Sequence, residues 1–272
     1  MPEKTYDVAI IGSGPAGYTA AIRAGQWGLS VALIEKDARL GGTCLQVGCI
    51  PTKALLFNAE VYDHIKSSNE LGLELAGATK VNWPVIQQRK DKIVTKHTKG
   101  LEFLMRKNKV EVIAGYGRLT GPAQNGVLSV EVSAEGRENK SIKAKNVIVA
   151  TGSSARMLPG LEPDSRVLTN IEILAIKDIP KSLIIVGAGA VGVEFASIYR
   201  SFDAEVTILE MLPRMVPVED EDISKELARA YRKRGINFHT GPKWRRWKRP
   251  KPAWLSPLPP TANSRSRKRR RF

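Results

Sequence analysis

The two cysteines of the chain lie close together in the segment GGTCLQVGCIPTK, residues 41 to 53, as Cys44 and Cys49. Two thiols at this spacing can form a reversible disulfide, contribute to a metal site, or pack as inert side chains. A disulfide needs Cα atoms within about 7 Å, so the intervening chain has to be a distorted helix or a tight loop. The nearby glycines permit such a path, and Lys53 is placed to hold a thiolate. Metal is the weaker alternative, because no histidine lies nearby and four ligands are normally needed.

Elsewhere in the chain, one unit occurs twice. DVAIIGSGPAGYTAAIRAGQWGLSVALIEK begins at Asp7, and SLIIVGAGAVGVEFASIYRSFDAEVTILEM begins at Ser182. Both have the order strand, glycine turn, helix, strand, acidic residue, with an offset of 175 residues. The matching positions are Gly12, Gly14, Gly17 and Glu35 in the first unit, and Gly187, Gly189, Gly192 and Glu210 in the second.

This repeated pattern is typical of dinucleotide binding. The first glycine permits a tight turn, the second lets a pyrophosphate approach the backbone, and the third lets helix and strand pack closely. A single match would fit an ordinary tight turn equally well, whereas two complete units favour two nucleotide sites and electron transfer between them. A carboxylate at the Glu210 position accepts ribose hydroxyls and repels a 2′-phosphate, which favours NAD over NADP.

The remaining body reads as alternating helices and strands. Residues 51 to 66 and 83 to 107 are predicted helices, the second with Asn82 as its N-cap. VEVIAGYGRL, VLSVEVSA and KNVIVATGS are predicted strands. We therefore predict an α/β fold of two Rossmann-like dinucleotide-binding units, with an FAD-binding domain at residues 1–150 and an incomplete NAD-binding domain at residues 151–241.

Residues 242–272 differ from the body. They contain twelve Lys or Arg and no Asp or Glu, and hold three of the five Trp and six of the sixteen Pro. Without them the formal charge of +16 falls to +4. We predict that this basic segment is disordered or translated out of frame. Because no apolar stretch approaches the roughly 20 residues of a membrane span and no signal peptide is evident, we expect a cytoplasmic protein without membrane attachment.

The segment GGTCLQVGCIPTKALL resembles the redox-disulfide segment of the class I flavoprotein disulfide reductases. Together with the first glycine unit, ATGS at residues 150–153 and GAGAVGVEF, it is most similar to the dihydrolipoamide dehydrogenases of that family. The resemblance runs from about Tyr6 to Gly241, and Gln46 stands where the family usually has Asn.

The resemblance implies a cofactor and a role for each matching residue. It places FAD on the first unit, through Gly12, Gly14, Gly17 and Glu35, with further contacts from Lys36, Thr43, Lys53, Gly115 or Gly117, Thr151 and Gly152. It places NAD on Gly187, Gly189, Gly192 and Glu210. Cys44 is then the interchange thiol and Cys49 the thiolate beside the flavin, with Lys53 near flavin N5 and Glu194 paired with that lysine. Electrons pass from dihydrolipoamide through the cysteine pair and FAD to NAD⁺.

The resemblance also implies partners: the lipoyl domain of a 2-oxo acid dehydrogenase complex and a second copy of the chain. The family's C-terminal interface domain and its His-Glu base have no match here, so we expect the 272 residues to be inactive by themselves. The alternatives are a non-catalytic FAD/NAD-binding fragment, or another disulfide reductase such as a mercuric reductase. Nucleic-acid binding by the basic segment is a further alternative, but nucleic acid is not the expected partner.

Overall fold

A computed structural model describes residues 4–136 and 138–241 of the chain. The predicted tail, residues 242–272, lies outside the described residues. The strands are β1 Thr5–Ile11, β2 Val31–Glu35, β3 Glu111–Ala114, β4 Tyr116–Gln124, β5 Val127–Ser133, β6 Lys140–Val149, β7 Ser182–Val186, β8 Glu205–Glu210 and β9 Asn237–Thr240. The helices are α1 Pro15–Gln26, α2 Gly42–Val47, α3 Cys49–Lys66, α4 Trp83–Lys107, α5 Asn170–Ile173, α6 Ala190–Ser201 and α7 Glu221–Lys233, with a short 3₁₀ helix at Ser68–Leu71.

The first sheet has the strand order β3-β2-β1-β6-β5-β4. Strands β1, β2, β3 and β6 are parallel, while β4, β5 and β6 form an antiparallel meander. Because parallel strands are covered on both faces, β1 and β2 are almost continuously apolar. One face packs against α1, α2 and α4 through residues such as Leu33 and Met105, and the other packs against the meander through residues such as Ile34 and Val130.

The second sheet repeats the arrangement of the first glycine unit. Its strand order is β7-β8-β9, all parallel, and α6 and α7 connect successive strands. Tyr199 and Ile208 are fully buried in the core that α6 shares with α3 and α4. The predicted mixed α/β fold with parallel sheets is thereby confirmed, while the predicted domain boundary at residue 150 stays a prediction.

The two long predicted helices are both present. In α4, the side chain of Asn82 accepts a hydrogen bond from Val85 N at 3.3 Å, which confirms the predicted N-cap. The buried side chains of α4 recur at helical spacing and end at Met105. Lys90 is buried among them, and its ammonium donates to Leu174 O at 2.7 Å, which attaches the chain near α5 to this helix. Among the described residues, no helix is long and apolar enough to span a bilayer.

Helices α3 and α6 lie side by side and run in the same direction. Near their first turns, Lys53 on α3 is ion-paired with Glu194 on α6. Near their last turns, the Asp63 carboxylate accepts from Ser201 Oγ at 2.6 Å and from Arg234 Nη2 at 3.1 Å. These contacts connect the helix that begins at Cys49 to the helix that follows the second glycine turn.

Candidate functional site

The first glycine turn joins β1 to α1. Gly12 has φ of +103°, and a Cβ at this position would lie 2.3 Å from Ala150 O, so only glycine fits beside the end of β6. A Cβ at Gly17 would lie 1.8 Å from Gly12 O, which shows why helix and strand need glycine there. The closest approach of α1 to the turn is therefore made by backbone alone.

The second glycine turn has the same construction. Gly187 has φ of +104°, and its N–H donates to Leu209 O at 2.8 Å, as Gly12 N donates to Ile34 O at 2.8 Å. A Cβ at Gly192 would lie 2.0 Å from Gly187 O. The repeat read from the sequence is thus a repeat of backbone conformation and hydrogen bonding.

Each unit ends in a buried carboxylate that accepts hydrogen bonds from its own glycine turn. Glu35 Oε2 accepts from Ser13 N at 2.8 Å and Oε1 accepts from Asp37 N at 2.9 Å. Glu210 accepts correspondingly from Ala188 N at 2.7 Å and from Leu212 N at 2.8 Å. Burial acts to raise the pKa of Glu35, but the hydrogen bonds from Asp37 and Ser13 outweigh it and hold the pKa below its usual value.

The middle glycine of each turn leaves room for a ligand. At Gly189 an added Cβ would meet nothing within 4 Å, and at Gly14 it would meet only Gly42 Cα at 4.0 Å. Each of these glycines is the N-cap of its helix, and neither helix start is capped by a side chain. Each turn therefore has space beside its middle glycine at a helix N-terminus without a side-chain cap, which fits the pyrophosphate of a dinucleotide.

The cysteine segment is a broken helix. Cys44 lies in α2, Gly48 interrupts the helix with φ −145° and ψ −115°, and Cys49 begins α3. A Cβ at Gly48 would lie 2.8 Å from Thr43 O, so the break needs glycine. This is the distorted helix that a contact between the two sulfurs requires.

Both cysteines are free thiols, with Cys49 exposed and Cys44 half-buried. Burial, together with the thiol hydrogen bond to Cys49, raises the pKa of Cys44 to about 11. The N–H of Cys49 and the positive charge of Lys53 act in the opposite direction on this pKa. Cys49 and Lys53 are thus close enough to Cys44 to influence its ionisation.

The predicted pair of Lys53 and Glu194 is present. Lys53 Nζ donates to Glu194 Oε1, across 141 residues of sequence. The Lys53 side chain is 59% exposed and that of Glu194 is 28% exposed, so the pair lies at an accessible edge. It joins the first turn of α3, beside the cysteines, to the first half of α6, beside the second glycine turn.

The other predicted contact residues form two groups, with Lys36 apart from both. Thr43, at the start of α2, and Thr151 and Gly152, just after β6, are exposed and lie on segments packed against the first turn. Gly115 and Gly117 lie where β3 passes into β4: Gly115 N donates to Glu35 O at 2.8 Å, and a Cβ at Gly117 would touch Ile11 and Ile34 at 3.1 Å. Lys36 is exposed beyond Glu35. The FAD contacts implied for all these positions stay predictions.

Three residues position the site through contacts that the sequence did not predict. Ser13 Oγ donates to Glu35 Oε2 at 2.6 Å. Gln46 Nε2 donates to Leu40 O at 2.5 Å and to Thr98 Oγ1 at 2.9 Å. Asn170 Nδ2 donates to Val47 O at 2.7 Å. The bonds of Gln46 to Thr98 and of Asn170 to Val47 hold α2 between α4 and α5. Only the tertiary structure brings these partners together.

Comparison with known proteins decides the family. The family model described as pyridine nucleotide-disulphide oxidoreductase matches residues 6–252. The chain belongs to this family. Among curated relatives of this oxidoreductase family, a dihydrolipoyl dehydrogenase from Bacillus subtilis is 48% identical over 88% of the chain and 51% of its own length. One from Chlorobaculum parvum is 45% identical over 88% of the chain and 50% of its own length.

Solved structures share the fold. LpdA from Mycobacterium tuberculosis is 27% identical, with a TM-score of 0.78 over 86% of this chain and 50% of the other. The HOCl-induced flavoprotein disulfide reductase RclA from Escherichia coli is 30% identical, with a TM-score of 0.70 over 86% of this chain and 49% of the other. The chain spans about half the length of the curated relatives named above.

Proposed function

We propose that the protein is a flavoprotein disulfide oxidoreductase of the dihydrolipoyl dehydrogenase type, in which dihydrolipoamide and NAD⁺ give lipoamide, NADH and a proton. One observation carries the proposal: the ion pair of Lys53 and Glu194 connects the cysteine helix α3 with helix α6 of the second glycine turn. The thiol pair and the second nucleotide turn thus belong to one continuous site. Family membership and the similarity to dihydrolipoyl dehydrogenases support the assignment.

The cysteine pair would exchange disulfides with the substrate. With Cys44 and Cys49 oxidised, a substrate thiolate attacks Cys44 Sγ, the bond between the two protein sulfurs breaks, and Cys49 leaves as a thiolate. The second substrate thiol, once deprotonated, attacks the substrate sulfur that is bonded to Cys44 in the mixed disulfide and releases Cys44 as a thiolate. The substrate leaves as a cyclic disulfide, and the two protein thiolates take up the protons that the substrate thiols lost, so the protein holds two electrons as a dithiol.

FAD on the first unit would supply the two-electron relay between this dithiol and NAD⁺. Gly12, Gly14 and Gly17 would form its pyrophosphate cradle, and Glu35 would face its ribose. Lys53 would place a positive charge beside the cysteines, and Glu194 would orient that ammonium. These roles use the open space at Gly14 and the existing ion pair.

The second unit favours NAD as the exchanging cofactor. Glu210 is buried at the end of β8 and bound to Ala188 N, so its carboxylate is fixed beside the glycine turn. A fixed carboxylate there accepts ribose hydroxyls and repels a 2′-phosphate. Within the same proposal, the macromolecular partners are the lipoyl domain of a 2-oxo acid dehydrogenase complex and a second copy of the chain.

The test is a purified sample of the 272-residue chain with its visible spectrum, its NADH binding and its NADH-lipoamide rate measured together. We expect added FAD to produce a flavin band that stays with the protein on gel filtration, and NADH to bind more tightly than NADPH. Little turnover in this sample would agree with the prediction that the chain alone is inactive. Failure of FAD to bind would contradict the proposal.

A matched pair of variants separates the cysteine role from general damage. Cys44→Ser and Cys49→Ser each remove one sulfur, and we expect each to abolish reversible disulfide formation while leaving FAD binding intact. Disulfide formation is measured as the number of alkylatable thiols after mild oxidation and again after reduction. If both thiols of the unmodified chain stay alkylatable after oxidation, the redox role is wrong.

A further inference from the structure

Ser13 lies between the first two glycines of the first turn and is fully buried. Its N–H and its hydroxyl both donate to the same oxygen of Glu35, at 2.8 Å and 2.6 Å. Two donors on one carboxylate oxygen hold the serine and the turn in a single arrangement. The serine is therefore a fixed point of the first nucleotide unit.

The same residue also holds the start of the cysteine helix. Gly41 N donates to Ser13 O at 3.1 Å and to Ser13 Oγ at 3.2 Å. Gly41 is the N-cap of α2, with φ of +116°, and Cys44 is the third residue of that helix. Next to it, a Cβ at Gly42 would lie 2.6 Å from Gly14 Cα, so α2 is packed directly on the glycine turn.

The second unit shows what the serine hydroxyl adds. Its equivalent residue is Ala188, which is also fully buried and donates its N–H to Glu210 at 2.7 Å. A glycine turn of this kind therefore forms with alanine in that position. The hydroxyl of Ser13 is not needed to build the turn, and its bond with Gly41 is a connection to the cysteine segment.

We propose that Ser13 is a positioning residue that couples the first nucleotide turn to the placement of Cys44. Its hydroxyl bridges the Glu35 carboxylate and the N–H of Gly41, so movement of the turn is passed to the start of α2. A dinucleotide bound at the turn steadies Ser13 and, through Gly41, keeps Cys44 in place. The ligand half of this inference rests on the proposed function, whereas the positioning half concerns the chain alone.

The test is the ratio of the alkylation rates of Cys44 and Cys49, measured with iodoacetamide and peptide mass spectrometry on the full chain without added cofactor. We expect Ser13→Ala to raise the Cys44 rate relative to Cys49 about fivefold, the equivalent of the lost hydrogen bond from Gly41 N to Ser13 Oγ. A general loosening of the structure would speed the alkylation of both thiols together. A change confined to α2 would speed Cys44 alone, because Cys49 lies beyond the Gly48 break. The control Ala188→Ser changes the matching residue of the second unit and is expected to leave the ratio unchanged.

The same measurement with FAD present tests the coupling. FAD is expected to slow Cys44 alkylation in the unmodified chain and to slow it less in Ser13→Ala. If FAD does not bind, the proposed function and the ligand half of this inference both fail, while the cofactor-free ratio still decides the positioning role. An unchanged alkylation ratio in Ser13→Ala overturns the positioning role. Loss of cooperative urea unfolding in this variant also overturns it, because alanine could then not form the turn at this position.

Discussion

The ammonium of Lys53 and the carboxylate of Glu194 meet between α3, the helix that begins at Cys49, and α6, the helix of the second repeat unit. Lys53 lies one turn after Cys49, and Glu194 lies one turn after the second glycine turn. The pair is thus a polar connection between the helix that follows the thiols and the helix that follows the second nucleotide turn. The positive charge of Lys53 also acts on Cys44, where it opposes the rise in pKa that burial causes.

The first prediction concerns the charge balance of this ion pair. Lys53→Met removes the positive charge and is expected to raise the pKa of Cys44, whereas Glu194→Gln leaves that charge uncompensated and is expected to lower it. Each shift should be about half a unit, because the pair is accessible to water. The measurement is the pH dependence of Cys44 alkylation. Shifts in the same direction for both variants would show that the pair does not control Cys44 electrostatically.

The second prediction concerns Gln46, the position at which the chain departs from its family pattern. Gln46→Asn shortens the side chain by one methylene, so the amide no longer reaches both Leu40 O and Thr98 Oγ1. We expect a loss of about 1 kcal/mol in the free energy of unfolding, measured with urea. Gln88→Asn, at an exposed position of α4, is the matched control and should change little. Equal effects of the two changes would argue against the bridge.

The third prediction concerns pH and Glu35. Because its folded pKa lies below its ordinary value of 4.5, the carboxylate adds stability above that pH, and this contribution is lost as pH falls through the folded pKa. Glu35→Gln should therefore be less stable than the unmodified chain at pH 7, by about 1–3 kcal/mol, with a gap that narrows below pH 4.5. Urea unfolding at several pH values measures the gap. Glu226→Gln, at a fully exposed ion pair on α7, is the control and should give no pH-dependent gap of this size.

The fourth prediction separates the glycines of the second turn. Gly192→Ala brings a Cβ to 2.0 Å from Gly187 O, and we expect it to lower the free energy of unfolding by about 3 kcal/mol. Gly189→Ala has open space and an ordinary φ of −74°, so stability should be kept. Its methyl group nevertheless enters the space proposed for the pyrophosphate, and NADH affinity should fall at least tenfold. Calorimetric titration with NADH and urea unfolding of both variants test whether Gly192 serves stability and Gly189 serves binding. Unchanged NADH affinity in Gly189→Ala would contradict the prediction.

The sequence predicted the parts of the molecule that local pattern determines. The repeated glycines and acids predicted two matching turns, and Asn82 as an N-cap predicted the start of α4. These features are readable because a tight turn or a helix places the same demand on any chain that forms it. The ion pair of Lys53 and Glu194 was expected from family resemblance, since its partners are distant in sequence.

The connections that position the site could not be read in the same way. Ser13, Gln46 and Asn170 are ordinary polar residues in their local context, and nothing in their neighbours indicates which groups they contact. The bond from Asn170 to Val47 O spans 123 residues, and that from Gln46 to Thr98 spans 52. Such bonds arise only when separate elements have packed, so their partners follow from the fold and not from spacing.

The parallel alignment of α3 and α6 also has an electrostatic consequence. Each helix has a partial positive charge at its N-terminus, and two dipoles pointing the same way repel when they lie side by side. The contacts of Lys53 with Glu194 and of Ser201 with Asp63 hold the helices together against this repulsion. Negative charge arriving at the shared N-terminal edge, from a phosphate or from a sulfur anion, relieves it. The scaffold therefore favours anions at this edge before any individual side chain takes part.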